Sequence, residues 1–163
     1  MWPPAEAVAA LAAVTAPAGS PSGWQAVDPA TWHLTLAFHG EADPGVFARR
    51  LDRAVGGVPG PRLRIAGAGA FPGVRWAGVE ADVSGRLAAL VTAAGATRPR
   101  SSRTSRSCGS AAGPARTPIP THLHRWASHS GPWWHPEEVL LVASEPARGG
   151  SRYCPIHRVR LAE

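Results

Sequence analysis

Thr31-Trp32-His33-Leu34-Thr35-Leu36-Ala37-Phe38, closed by His39 and Gly40, is the stretch on which the fold reading turns. It is rich in β-branched and aromatic residues and ends on a glycine, so it reads as a β-strand. Side chains alternate across a strand, which puts His33, Thr35 and Ala37 on one face and Leu34, Leu36 and Phe38 on the other. An imidazole and a hydroxyl thus project side by side. That pair suits phosphoryl chemistry. The hydroxyl can hydrogen-bond a non-bridging oxygen, while an imidazole with an ordinary pKa of about 6.5 moves a proton near neutrality. By itself a His-x-Thr pair on a strand is more often a partly exposed strand pair than a catalytic one.

Outward from this stretch, the pattern alternates helices and strands. Pro3 and Pro4 suit a helix start, and residues 5–14 are good helix formers with Val8 and Leu11 at core spacing. After 31–38, residues 44–55 read as an amphipathic helix with Val46, Phe47, Leu51 and Val55 near one face. Residues 62–66 and 74–80 read as strands around a glycine-rich turn, and Asp82 or Ser84 is placed to cap a helix running to about residue 94. A short helical stretch at 122–129, a strand at 139–144 and a last strand at 153–161 complete the chain. Between them, residues 97–120 lack periodicity and large apolar side chains, a composition that predicts disorder. The whole, 1–163, reads as a single domain, since the length allows one compact core and is short for two.

The surrounding text resembles a known family. WHLTLAFHGE (32–41) is similar to the first His-x-Thr-x signature of the two-histidine (2H) phosphoesterases, in the LigT-like branch of RNA 2′,3′-cyclic phosphodiesterases. His39 stands where those proteins usually carry leucine. GAGAFPGVRWAGVE (67–80), PWWHPEEVLLVASE (132–145) and YCPIHRVRL (153–161) resemble the later strands. The resemblance implies a bilobal, pseudo-symmetric α+β fold, with two antiparallel sheets and flanking helices around a central cleft. It also implies opening of a 2′,3′-cyclic phosphate at an RNA 3′ end to a 2′-phosphate without metal or cofactor, and in some members 2′-5′ ligation. By that resemblance His33 is the general acid that protonates the departing 3′ oxygen, and Thr35 is a phosphate ligand. The expected partner is an RNA 3′ end bearing a cyclic phosphate, tRNA fragments included, and the expected state is a monomer.

The sequence departs from the family in two places. No second His-x-Thr motif follows residue 94, and no histidine lies between His39 and His122, so the catalytic base is absent. The low-complexity run starts where that motif belongs. Codons for Ser101 to Ser110 can be chosen so that a shifted frame reads Val-Pro-His-Leu-Thr-Val-Val-Arg-Leu, and a frameshift is therefore expected. An opening strand resembling Arg-Leu-Phe-Val-Ala-Val is also expected before the prolines, whereas this chain starts at Met1-Trp2-Pro3. The rival readings are a degenerate protein that binds RNA ends without turnover and a pseudogene product.

Composition bounds the rest. Five of the 17 basic residues, Arg98, Arg100, Arg103, Arg106 and Arg116, lie in the low-complexity run. Without them the net charge of +6 falls close to neutrality, which weakens a general nucleic-acid reading. No apolar run approaches the roughly 20 residues of a membrane span, and no signal-peptide pattern opens the chain, so the cytoplasm is expected. Cys108 and Cys154 read as free thiols. His122 and His124 lack a third ligand for a metal. His135 and His157 receive no catalytic role. Trp126, Trp133 and Trp134 can stack on bases but read as lid or core, and Arg75 and Trp76 lie on a strand that can run toward the cleft.

Overall fold

The computed structural model describes residues 1–15, 27–71, 74–95, 124–147 and 150–162. The low-complexity run at 97–120, where the second His-x-Thr motif was expected, lies outside them. The order is α1 (Ala5–Thr15), a 3-10 turn (Pro29–Thr31), α2 (Pro44–Val55), β1 (Leu63–Phe71), β2 (Val74–Ala81), α3 (Ser84–Ala93), a single-turn α4 (His124–Ala127), β3 (Glu138–Ala147) and β4 (Gly150–Arg160). The fold is α+β. Its two sheets are antiparallel pairs, β1 with β2 and β3 with β4.

The stretch at 31–38 is not a strand. Thr31 ends the 3-10 turn, and residues 32–39 carry no sheet ladder. The physical reason is pairing: Leu34 exchanges both backbone hydrogen bonds with Met1, at 2.8 and 3.1 Å, and the ladder goes no further. β-propensity needs a neighbour to pair with before it becomes a sheet. The inward face also ends early. Leu34 is buried and Leu36 packs on the core, but Phe38 is 75% exposed.

The helix at 44–55 forms as its sequence dictates. The Asp43 side chain accepts from the N–H groups of Gly45 (2.7 Å) and Val46 (3.1 Å), and Pro44 occupies the first turn. Leu51 and Val55 are buried, whereas Val46 is 50% exposed, so the apolar stripe is narrower than expected. At α3 neither expected cap operates. The N-cap is Val83, and the Asp82 carboxylate instead accepts from Val83 N–H (2.7 Å) and Arg62 N–H (3.0 Å), tying the helix start to β1.

β1 outruns the expected strand because the glycines meant as a turn are absorbed into a bulge. The register shifts between Ile65 and Ala68, and Gly67 takes a left-handed φ of 73° there. The Trp76 ring lies flat on Gly69, where a Cβ would come within 2.1 Å of it. The far edge of β1 is covered too. Leu63 and Trp134 exchange backbone hydrogen bonds at 2.8 Å, Gly131 N–H donates to Ile65, and Gly67 N–H donates to His129. That lead-in delivers β3, and Leu161 N–H returns to Glu137 (2.9 Å) while Ala162 N–H donates to Val58 (3.0 Å). The two sheets thereby share one core, in which Leu63, Leu90 and Val55 are fully buried beside Leu11, Leu34, Trp134, Val139 and Val159.

Candidate active site

His33 is placed by what precedes it. Asp28 organises the 3-10 turn through its side chain, which accepts from Ala30 N–H (2.9 Å), and its carbonyl, which accepts from Thr31 N–H (2.9 Å) and the Thr31 hydroxyl (2.7 Å). The turn aims the Thr31 carbonyl at His33 Nδ1, 2.9 Å away. A carbonyl only accepts, so Nδ1 carries the hydrogen. In the neutral ring Nε2 is then the nitrogen free to exchange a proton.

Leu34 anchors the next step. Its side chain is buried and its backbone pairs with Met1, with His33 and Thr35 flanking it. Both are half-buried. His33 sits between two rings that no local pattern links to it: Tyr153 of β4, with centroids 4.6 Å apart, and Trp2 at 6.0 Å. Burial pushes the His33 pKa below its ordinary value, the Thr31 carbonyl partly offsets this, and the N-terminal ammonium adds to the lowering. The balance shifts the imidazole toward its neutral form.

The other sequence candidates scatter. His157 on β4 pairs with Asp52 of α2 at 2.8 Å, a link between elements. His135 is exposed and lines a groove of about 420 Å³ with Trp2, Glu137 and Glu138. His122 lies outside the described residues, as does Cys108, while Cys154 is a free, half-buried thiol. Trp134 is core, and Trp133 is half-buried under the guanidinium groups of Arg62 (5.6 Å) and Arg64 (4.7 Å), a cation-π arrangement. Trp126, Arg75 and Trp76 are half-buried. Among the described residues no group of three His, Cys, Asp or Glu side chains could hold a metal ion, and no helix is long and apolar enough to cross a membrane.

Sequence reading missed Tyr153 and Trp2 as neighbours of His33, because their approach is made by β4 and by the Met1–Leu34 pairing. It also missed a second histidine environment. The His39 ring packs on Phe47 of α2, with centroids 4.1 Å apart, and its pKa is lowered by burial, with the Ala94 carbonyl opposing and Arg50 adding to the shift.

Residues 2–79 match the family model described as LigT like phosphoesterase. The match contains His33, Thr35, the 3-10 turn, α2 and most of β2. Over that part, just under half of its length, the chain is similar to this family. No curated protein and no solved structure matches the chain.

Proposed function

We propose that, as the LigT-like match over residues 2–79 implies, this protein acts on RNA 3′ ends that carry a 2′,3′-cyclic phosphate and opens the ring to a 2′-phosphate. The observation that carries this reading is the pairing of His33 with Thr35 on either side of the buried Leu34, with His33 Nδ1 committed to Thr31 and Nε2 left to act.

Water adds to phosphorus, the P–O3′ bond breaks, and the departing O3′ takes the proton from Nε2 of protonated His33. The P–O2′ bond stays. The Thr35 hydroxyl donates to a non-bridging oxygen. With an RNA 5′-hydroxyl in place of water, the same departure of O3′ forms a 2′-5′ linkage. Water must also lose a proton, and the base that a second His-x-Thr would supply is absent from the sequence. Ring opening should therefore run roughly 10²-fold to 10⁴-fold below a two-histidine enzyme. In this reading a change of frame within the codons for 97–121 removed that motif, and resequencing the gene there tests it.

The missing motif also favours a second reading, in which the protein holds cyclic ends without turning them over. Single-turnover kinetics on a cyclic-phosphate oligonucleotide separate the two. The catalytic reading expects measurable ring opening that falls about 10²-fold in His33→Ala, and weaker substrate binding in Thr35→Ala. Retained hydrolysis in His33→Ala would remove His33 from the mechanism. Tight binding with no ring opening in the wild type would leave the binding reading.

A further inference from the structure

α2 presents a basic face that the chemistry at His33 does not use. Arg49, Arg50 and Arg53 are exposed and, with Val46 and Ala54, line an open groove of about 500 Å³. None of the three arginines has a carboxylate within 4 Å among the described residues. The acids nearest in sequence are committed: Asp43 caps the helix, and Asp52 pairs with His157 at 2.8 Å. Arg49 and Arg53 are four residues apart and so share one helix face, with Cβ atoms about 5–6 Å apart.

The groove is tied to the segment that carries His33. His39 packs on Phe47 and lies beside the Arg50 guanidinium, as shown by Gly95, where an added Cβ would sit 3.2 Å from the first and 3.3 Å from the second. Six residues of chain reach at most about 22 Å, so His39 lies within that distance of His33. Phe38, adjacent to His39, turns out of the core with 75% of its surface exposed. An arginine row without carboxylate partners attracts a nucleic-acid backbone, and an exposed aromatic ring, carried here on the residue next to His39, can stack on a base.

We propose that this groove binds the RNA strand upstream of its 3′ end, with Arg49, Arg50 and Arg53 on backbone phosphates and Phe38 stacked on a base. This deepens the function proposed above and rests on it for the identity of the bound end. The substrate is then an oligonucleotide rather than a cyclic mononucleotide.

Fluorescence anisotropy with a labelled single-stranded decaribonucleotide tests this, using one sample ending in a 3′-hydroxyl and one in a 2′,3′-cyclic phosphate. The wild type should bind both, more weakly as salt rises. Arg49→Gln/Arg53→Gln should bind about tenfold more weakly, with the slope of log K against log salt reduced by about 1.4, since each single-strand phosphate contributes about 0.7. Arg49→Lys/Arg53→Lys should keep the slope. Phe38→Ala should lose about tenfold with the slope unchanged. Unchanged urea midpoints establish that the variants fold. If the glutamine pair binds the decamer as the wild type does, or a DNA duplex binds equally well, the groove assignment is overturned. The function reading fails separately, when the cyclic end confers no advantage over the hydroxyl end and His33→Ala changes nothing.

Discussion

The Nδ1 hydrogen bond from His33 to Thr31 fixes which nitrogen can do chemistry, and burial fixes when it is charged. A general acid must be protonated, so ring opening should fall as pH rises past the lowered pKa of His33, and a pH–rate profile in single turnover checks this. Stability should move the opposite way. His33, His39 and His129 are all shifted below their ordinary value by burial, so the folded protein binds fewer protons than the unfolded chain at mildly acid pH. Their burial is free of this penalty above about pH 6.5, and stability is lost as pH falls through the lowered values. Urea midpoints at pH 7.5 and 5.5 should therefore differ, with the lower value at pH 5.5, and His33→Gln should narrow the gap. Equal midpoints would contradict the burial argument. The adjacency of His33 and Thr35 to Leu34 is local and plain in the sequence, and Leu34 is buried between them. Tyr153 was not legible, because its contact depends on a strand 120 residues away.

The bounds of α2 were readable to the residue from its apolar spacing, whereas its Asp43 cap was not singled out. The 31–38 stretch misled because its strand propensity depends on a partner, and among the described residues Met1 pairs with it at one position. β1 misled in the other direction. Its glycines read as a turn, yet Gly67 serves as the left-handed residue of a bulge and Gly69 as the floor for Trp76. Two alanine substitutions, at Gly67 in the bulge and at Gly78 on the paired strand, separate backbone conformation from crowding. Gly67→Ala meets nothing within 4 Å and should cost only the left-handed backbone term, about 1–2 kcal/mol. Gly78→Ala places a methyl 2.3 Å from the Ala66 carbonyl oxygen and should cost more, because backbone must move. Denaturant unfolding ranks the pair, and the reverse order would contradict the bulge geometry.

The two sheets hold together through β1, whose far edge is paired by residues 129–134, and through residues 58–60 and 161–162. Leu63 sits at that junction with no exposure, so Leu63→Ala should destabilise by about 2–5 kcal/mol. An exposed Val46→Ala should stay within about 0.5 kcal/mol. Periodicity made most of the helices and strands legible, while the α+β class and the two antiparallel sheets came from the family resemblance. The covering of β1 was not legible, because the bonds from Gly67, Ile65 and Leu63 to residues 129–134 run through backbone groups that side-chain patterning does not reveal. The functional reading reduces to one bond, between phosphorus and O3′, and to one imidazole. Phosphorus-31 NMR of an oligoribonucleotide 2′,3′-cyclic phosphate incubated with the wild type and with His33→Ala follows that bond. A 2′-phosphate forming in the wild type, and about 10²-fold more slowly in the variant, is the expected result. A 3′-phosphate product, or equal rates in the two proteins, would contradict it.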